Sequence, residues 1–150
     1  MGRYNGRAMR TLALDVGERR IGVALSDPTG FLASPLTVIE RTGGKGDFQR
    51  VVDLATENEV ERILVGIPVS MDGVEREQAR STRDFCRRLA EQTVTPIDTW
   101  DERLTTVEAE RRLRERGASA KERKALVDSA AAAILLQAYL DAGSTGGRAT

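Results

Sequence analysis

Four carboxylates stand where an acid is costly or faces a ligand-binding edge. Asp15 stands next to last in the apolar run Thr11–Val16, which is followed at once by Gly17. It therefore sits at the C-terminal end of a strand, the edge where α/β sheets take ligands. The bland alternative is an Asp capping a hairpin turn, although the glycines at 17 and 22 suggest close backbone passage that a cap would not need. Asp128 shares one helical face with Ala132, Leu135 and Tyr139. A carboxylate on an apolar face must be paired, hydrogen-bonded or bound to metal, and an ion pair with Lys124 or an Arg is the competing reading. Asp101 and Glu102 follow the strand that ends at Trp100. Either one could face the edge that Asp15 occupies, or simply complement the dipole of a following helix.

Acids at two strand ends and on one helix are the donor set of a two-metal phosphoryl-transfer centre. Carboxylate oxygens suit Mg²⁺ or Mn²⁺ and hold two such ions ~3.5–4 Å apart. No His is needed, and the chain has none. That absence removes His–Cys zinc sites, Ser-His-Asp triads and His general bases. The single cysteine, Cys86, rules out an intramolecular disulfide framework and fits a reducing, cytoplasmic setting. Lying beside Phe85 in a helical pattern, it reads as a small core hydrophobe.

The elements that must position these acids follow from periodicity. Strands are expected at 11–16 and 20–27, joined as a hairpin, and at 31–40, where Pro35 favours a sheet edge. The spacing predicts a helix over 47–59, a buried strand over 62–68, a helix over 75–92 and a strand over 96–100. Thr105-Thr-Val-Glu108 and Ser119-Ala-Lys-Glu122 each match a capping box, so one helix should run to Gly117 and a last one to about Ala142. Thr105 and Thr106 read as helix caps rather than catalytic hydroxyls. Three antiparallel strands followed by α-β-α-β-α give an α/β fold. Its mixed five-stranded sheet has the first, fourth and fifth strands parallel and helices on both faces.

With 150 residues, 40% of them hydrophobic and 31% charged, the chain reads as one globular domain over 10–142. Residues 1–9 read as a flexible leader and 143–150 as a disordered tail. No apolar run is long enough for a membrane span. Twenty-three basic residues balance 23 acidic ones, which argues against capture of nucleic acid by bulk charge but allows a local basic face. Arg19, Arg20 and Arg103 border the acids. They could hold a scissile strand's phosphates, or serve as salt-bridge partners of Asp15 and Glu102.

Four segments together carry a resemblance: Asp15-Val-Gly-Glu-Arg-Arg-Ile-Gly-Val-Ala24; Val65-Gly-Ile-Pro68 with Met71-Asp-Gly73; Asp101-Glu-Arg-Leu-Thr-Thr106; and Asp128-Ser-Ala-Ala-Ala-Ala-Ile-Leu-Leu-Gln137. In order and over about 9–140, they resemble the YqgF family, also called RuvX, of pre-16S rRNA nucleases often labelled Holliday-junction-resolvase-like. The resemblance implies an RNase H-like fold. It matches Asp15 to the first-strand acid of such nucleases, Asp128 to the C-terminal-helix acid, and the 101–106 block to the remaining acidic position. Many relatives of this wider fold keep a carboxylate on the strand beside the first, and here strand 62–68 has none. An acid arriving from the next strand out starts roughly 10 Å from Asp15, so the longer Glu102 is preferred to Asp101 as a ligand. The implied activity is Mg²⁺- or Mn²⁺-dependent hydrolysis of phosphodiesters at the 5′ end of precursor 16S rRNA, by a monomer or homodimer. The alternatives are a DNA junction resolvase, which would favour a symmetric dimer, and a non-catalytic nucleic-acid-binding module of the same fold. An actin-type ATPase, suggested by Asp15-x-Gly17, would need two such domains, and the chain is too short.

Overall fold

The computed structural model describes residues 9–105, 111, 115 and 127–144. Its elements are β1 (Thr11–Val16), β2 (Arg20–Ser26), β3 (Ala33–Glu40), α1 (Lys45–Glu57), β4 (Arg62–Ile67), α2 (Glu77–Ala90), β5 (Ile97–Asp101), a 3₁₀ turn (Glu102–Leu104) and α3 (Val127–Ser144). The sheet order is β3-β2-β1-β4-β5. The β1–β2 and β2–β3 pairs are antiparallel, while β1–β4 and β4–β5 are parallel. This is the mixed sheet expected from the alternation of strands and helices.

Side-chain alternation sends each strand's residues to two cores. Leu12, Leu14, Ile21, Val23 and Ile63 form one core with Phe48 and Val51 of α1 and Phe85 and Leu89 of α2. Ala13, Ala24, Ala33 and Leu64 form the other with Ala132, Ala133, Leu135 and Leu136 of α3. Small strand residues on this second face let α3 lie close to the sheet. Ala132 and Leu135 point to the sheet as their spacing predicts, and Tyr139 packs at the margin of the same core against Trp100.

The element limits differ from the sequence expectation where side chains compete for backbone. Strand β3 starts at Ala33 rather than Phe31, because the Asp27 carboxylate accepts the Phe31 and Leu32 amides and keeps both in the turn. Pro35 does lie on an edge strand, with a register shift opposite it between Val23 and Ala24. Gln137, fully buried on α3, accepts from the Ala33 amide and donates to the Phe31 carbonyl, which fixes how β3 begins. Helix α1 starts at Lys45, two residues before Asp47, which reaches back to accept from the Thr42 and Gly43 amides. Helix α2 starts at Glu77, while Glu75 stays outside it and takes both arms of Arg83. Strand β5 runs one residue past Trp100, to Asp101. Cys86 is half-buried against the first core, and burial pushes its thiol up to about 11. The helix expected to run from Thr105 to Gly117 and the capping box at Ser119 lie, beyond Thr105 itself, largely outside the described residues. Helix α3 continues to Ser144, two residues beyond the expected end. Among the described residues no helix is long and apolar enough to cross a membrane.

Candidate active site

Strands β1, β4 and β5 all finish at one edge of the sheet. Asp15 belongs to the Ala13 side of β1 and so lies on the α3 face. Its cross-strand partner on β2 is Gly22. The hairpin after it is tight: the Gly17 amide donates to the Arg20 carbonyl at 2.8 Å. A Cβ at Gly17 would stand 2.9 Å from that oxygen, so the turn excludes any side chain there. Asp15, Gly17, Glu18, Arg19, Arg20 and Gly22 line an open cleft of about 240 Å³.

Glu102 begins the 3₁₀ turn that follows β5. Its side chain crosses above β4 and makes a hydrogen bond with Asp15. Burial pushes the Glu102 carboxyl up to about 7, and the Asp15 charge, the shared hydrogen bond and the Asp101 charge act in the same direction. Burial also raises Asp15, against the opposing effect of its bond from Glu102. Burial first, and then the mutual repulsion of the two carboxylates, favours a protonated Glu102 beside Asp15. Asp101 does something else. It accepts from the Arg103 amide and takes the Arg103 guanidinium at 2.6 Å, bonds that hold its carboxyl below the usual range. Asp101 thus caps the turn that aims Glu102, while Glu102 reaches Asp15.

Of the three arginines expected near the acids, Arg19 and Arg20 line the cleft beside Asp15. Arg103 pairs with Asp101, so it is a partner of neither Asp15 nor Glu102. Helix α3 descends from this edge: Leu135 lies beside Gly66, while Gln137, further along, meets the opposite end at Phe31. Asp128 lies on α3 near the start of its described part, at the end toward the acids. Its side chain, and with it the distance to Asp15, lies outside the described residues. Among the described residues no group of three potential ligands is placed to hold a metal.

Two site neighbours escaped the sequence reading. Arg41 donates to the Gly17 carbonyl at 2.7 Å, pairs with Asp47 and lies over the Phe85 ring, tying the hairpin to both helices of that face. Nothing local in the sequence marks it. Gly66 lies under Glu102. Its signal was present, since a lone glycine inside a buried apolar strand suggests a close approach.

Comparison with known proteins fits this geometry. The family model described as "RuvX: Holliday junction resolvase" matches residues 9–142. The chain belongs to the RuvX family. A relative from Syntrophomonas wolfei, named "Putative pre-16S rRNA nuclease", is 46% identical over 138 residues, 92% of this chain and 98% of its own length. One of the same name from Desulforamulus reducens is 46% identical over 136 residues, covering 91% and 99%. Among solved structures, Thermus thermophilus RuvC in complex with a Holliday junction substrate superposes with a TM-score of 0.60 at 12% identity, covering 93% of this RuvX chain and 98% of RuvC. RuvC without that description gives 0.57 at 14%. At such identities the likeness concerns the fold, which is RNase H-like.

Proposed function

We propose that this RuvX protein is a metal-dependent endonuclease that hydrolyses a phosphodiester during 5′-end maturation of precursor 16S rRNA, in the cytoplasm. The observation that carries the reading is the meeting of two carboxylates, Asp15 near the end of β1 and Glu102 in the turn after β5, beside a cleft edged by arginines. A pair of carboxylates that cannot both ionise is a site a cation would relieve. The donors are hard oxygens with no nitrogen or sulfur ligand beside them, which fits Mg²⁺ or Mn²⁺. Asp15 and Glu102 would hold the metal with Asp128, on α3, as the third acid. A hard divalent cation supplies charge neutralisation at the attacking and leaving oxygens of a phosphoryl transfer.

The chain's own residues do the rest. Arg19 and Arg20 hold the scissile strand's phosphates over the cleft, as bidentate donors. Arg103 contributes a third phosphate contact while Asp101 fixes its direction. The names of the RuvX relatives favour RNA. The family description favours a second reading, a DNA junction resolvase.

The test is cleavage of precursor 16S rRNA and a four-way DNA junction, side by side, in Mg²⁺ or Mn²⁺. The rRNA should be cut near its mature 5′ end, and excess EDTA should abolish cutting. Asp15→Asn and Glu102→Gln should each lower the rate at least 100-fold, on the scale of losing one essential acid–base or ligand group. Full activity in EDTA, or in both variants, overturns the reading. Symmetric cutting of the junction alone transfers it to DNA.

A further inference from the structure

The strand between the two acids offers no side chain at the point where they meet. Strand β4 lies between β1 and β5. Gly66 pairs with Trp100 on the β5 side, and Val65, just before it, pairs with Leu14 on the β1 side. Gly66 is therefore the β4 position level with Asp15, on the same α3 face. A Cβ built on Gly66 would stand 2.8 Å from Glu102 Oε2 and 3.1 Å from Glu102 Cγ, with Leu135 Cδ1 at 3.0 Å. The first distance is shorter than a carbon tolerates, and the other two are tight contacts that a shift of a few tenths of an ångström would relieve. Gly66 is absent from the glycines with positive φ, so its backbone is open to any residue. Its neighbours Val65 and Ile67 are buried, in a strand where glycine is the weak choice. Space for Glu102, rather than backbone conformation, is what requires glycine.

We propose that Gly66 is a positioning residue for the nuclease reaction: its missing side chain is the passage through which Glu102 crosses β4 to reach Asp15. The passage supplies, from β5's end, a carboxylate that β4 itself lacks. This inference rests on Asp15 and Glu102 forming the active site. It separates two costs of adding a methyl group. The fold yields cheaply, because the nearest atom is the far end of a flexible side chain. The site yields dearly, because that atom is the carboxylate.

The decisive variant is Gly66→Ala in the full chain. Its melting temperature should stay near the parent's, while kcat on precursor rRNA falls about 10- to 100-fold with little change in KM, the range for losing the support of a ligand. Metal binding, followed calorimetrically with Mn²⁺ alone, should weaken as much as in Glu102→Gln. Adding Gly66→Ala to Glu102→Gln should cost nothing more in either readout, since one effect passes through the other. The double variant Gly66→Ala with Leu135→Val removes the tight contact with Leu135 and keeps the clash with Glu102. It should stay folded and remain impaired. Recovery of cleavage in that variant traces the loss to Leu135 and overturns the proposal, as does a double variant that melts far below the parent. So does a fully additive loss, or an unimpaired Gly66→Ala beside a dead Glu102→Gln, which refutes the passage and leaves the site standing. Full activity in Glu102→Gln overturns the site reading, and the passage with it.

Discussion

At the scale of single residues, the site is governed by how many charges a small volume accepts. Glu102 is pushed from its ordinary 4.5 to about 7, chiefly by burial. A carboxyl whose folded pKa is raised loses stability for the fold once the unfolded chain ionises first. In metal-free protein the contribution is intact below 4.5 and is lost as pH climbs through about 7. Asp15, also raised, acts with the same sign. Melting temperatures in EDTA should therefore fall between those limits, and Glu102→Gln should flatten the profile; an unchanged slope would mean that Glu102 is not raised in the fold. Asp128→Asn carries the matching test on α3. As one of three mutually repelling acids, its loss should leave the metal-free melting temperature unchanged or higher while cleavage collapses. As the partner of a buried cation, its loss would instead lower the melting temperature with cleavage intact. The first outcome is expected.

At the scale of elements, the hairpin that carries Asp15 is held from outside. Arg41 follows β3 and bonds the Gly17 carbonyl, and its partner Asp47 is almost fully buried on α1. Asp47 keeps three local donors from Thr42 and Gly43, so removing Arg41 strands the charge only in part. Arg41→Met should cost about 2 kcal/mol, between the value of one charged hydrogen bond and that of a broken buried pair. It should also slow cleavage by loosening Gly17 beside Asp15. Urea denaturation measures the first effect and single-turnover kinetics the second. The expected loss of stability with normal cleavage would confine Arg41 to the fold. Asp101 illustrates the same principle within a turn: by capping at Arg103 it directs the next residue, Glu102, over β4.

At the scale of the molecule, a net charge of zero means that nucleic acid is not gathered by a general field. Substrate affinity should depend on the few arginines at the sheet edge. With about three phosphate contacts, log K against log salt should have a slope of roughly −2 to −3, and Arg19→Ala should reduce it by about 1. A much steeper slope, measured by filter binding in Ca²⁺, would place the main contacts elsewhere.

The sequence by itself determined the order and type of the strands and helices among the described residues, since alternation and helical spacing are properties of neighbours along the chain. It also determined that the chemistry must rest on oxygen ligands, because the chain has no His and a single Cys. The spacing of strands already marked Glu102, with its longer side chain, as better able than Asp101 to reach Asp15. Only the tertiary structure decided where strand β5 stops, that Arg103 pairs with Asp101, that Arg41 grips Gly17, and that Gly66 leaves room above β4. Each of those depends on distances of a few ångströms, most of them between segments remote in sequence. Packing of the sheet against its helices sets the remote distances, of which the lone glycine in strand 62–68 was the one local hint, while the Arg103–Asp101 pair depends on the turn that follows β5.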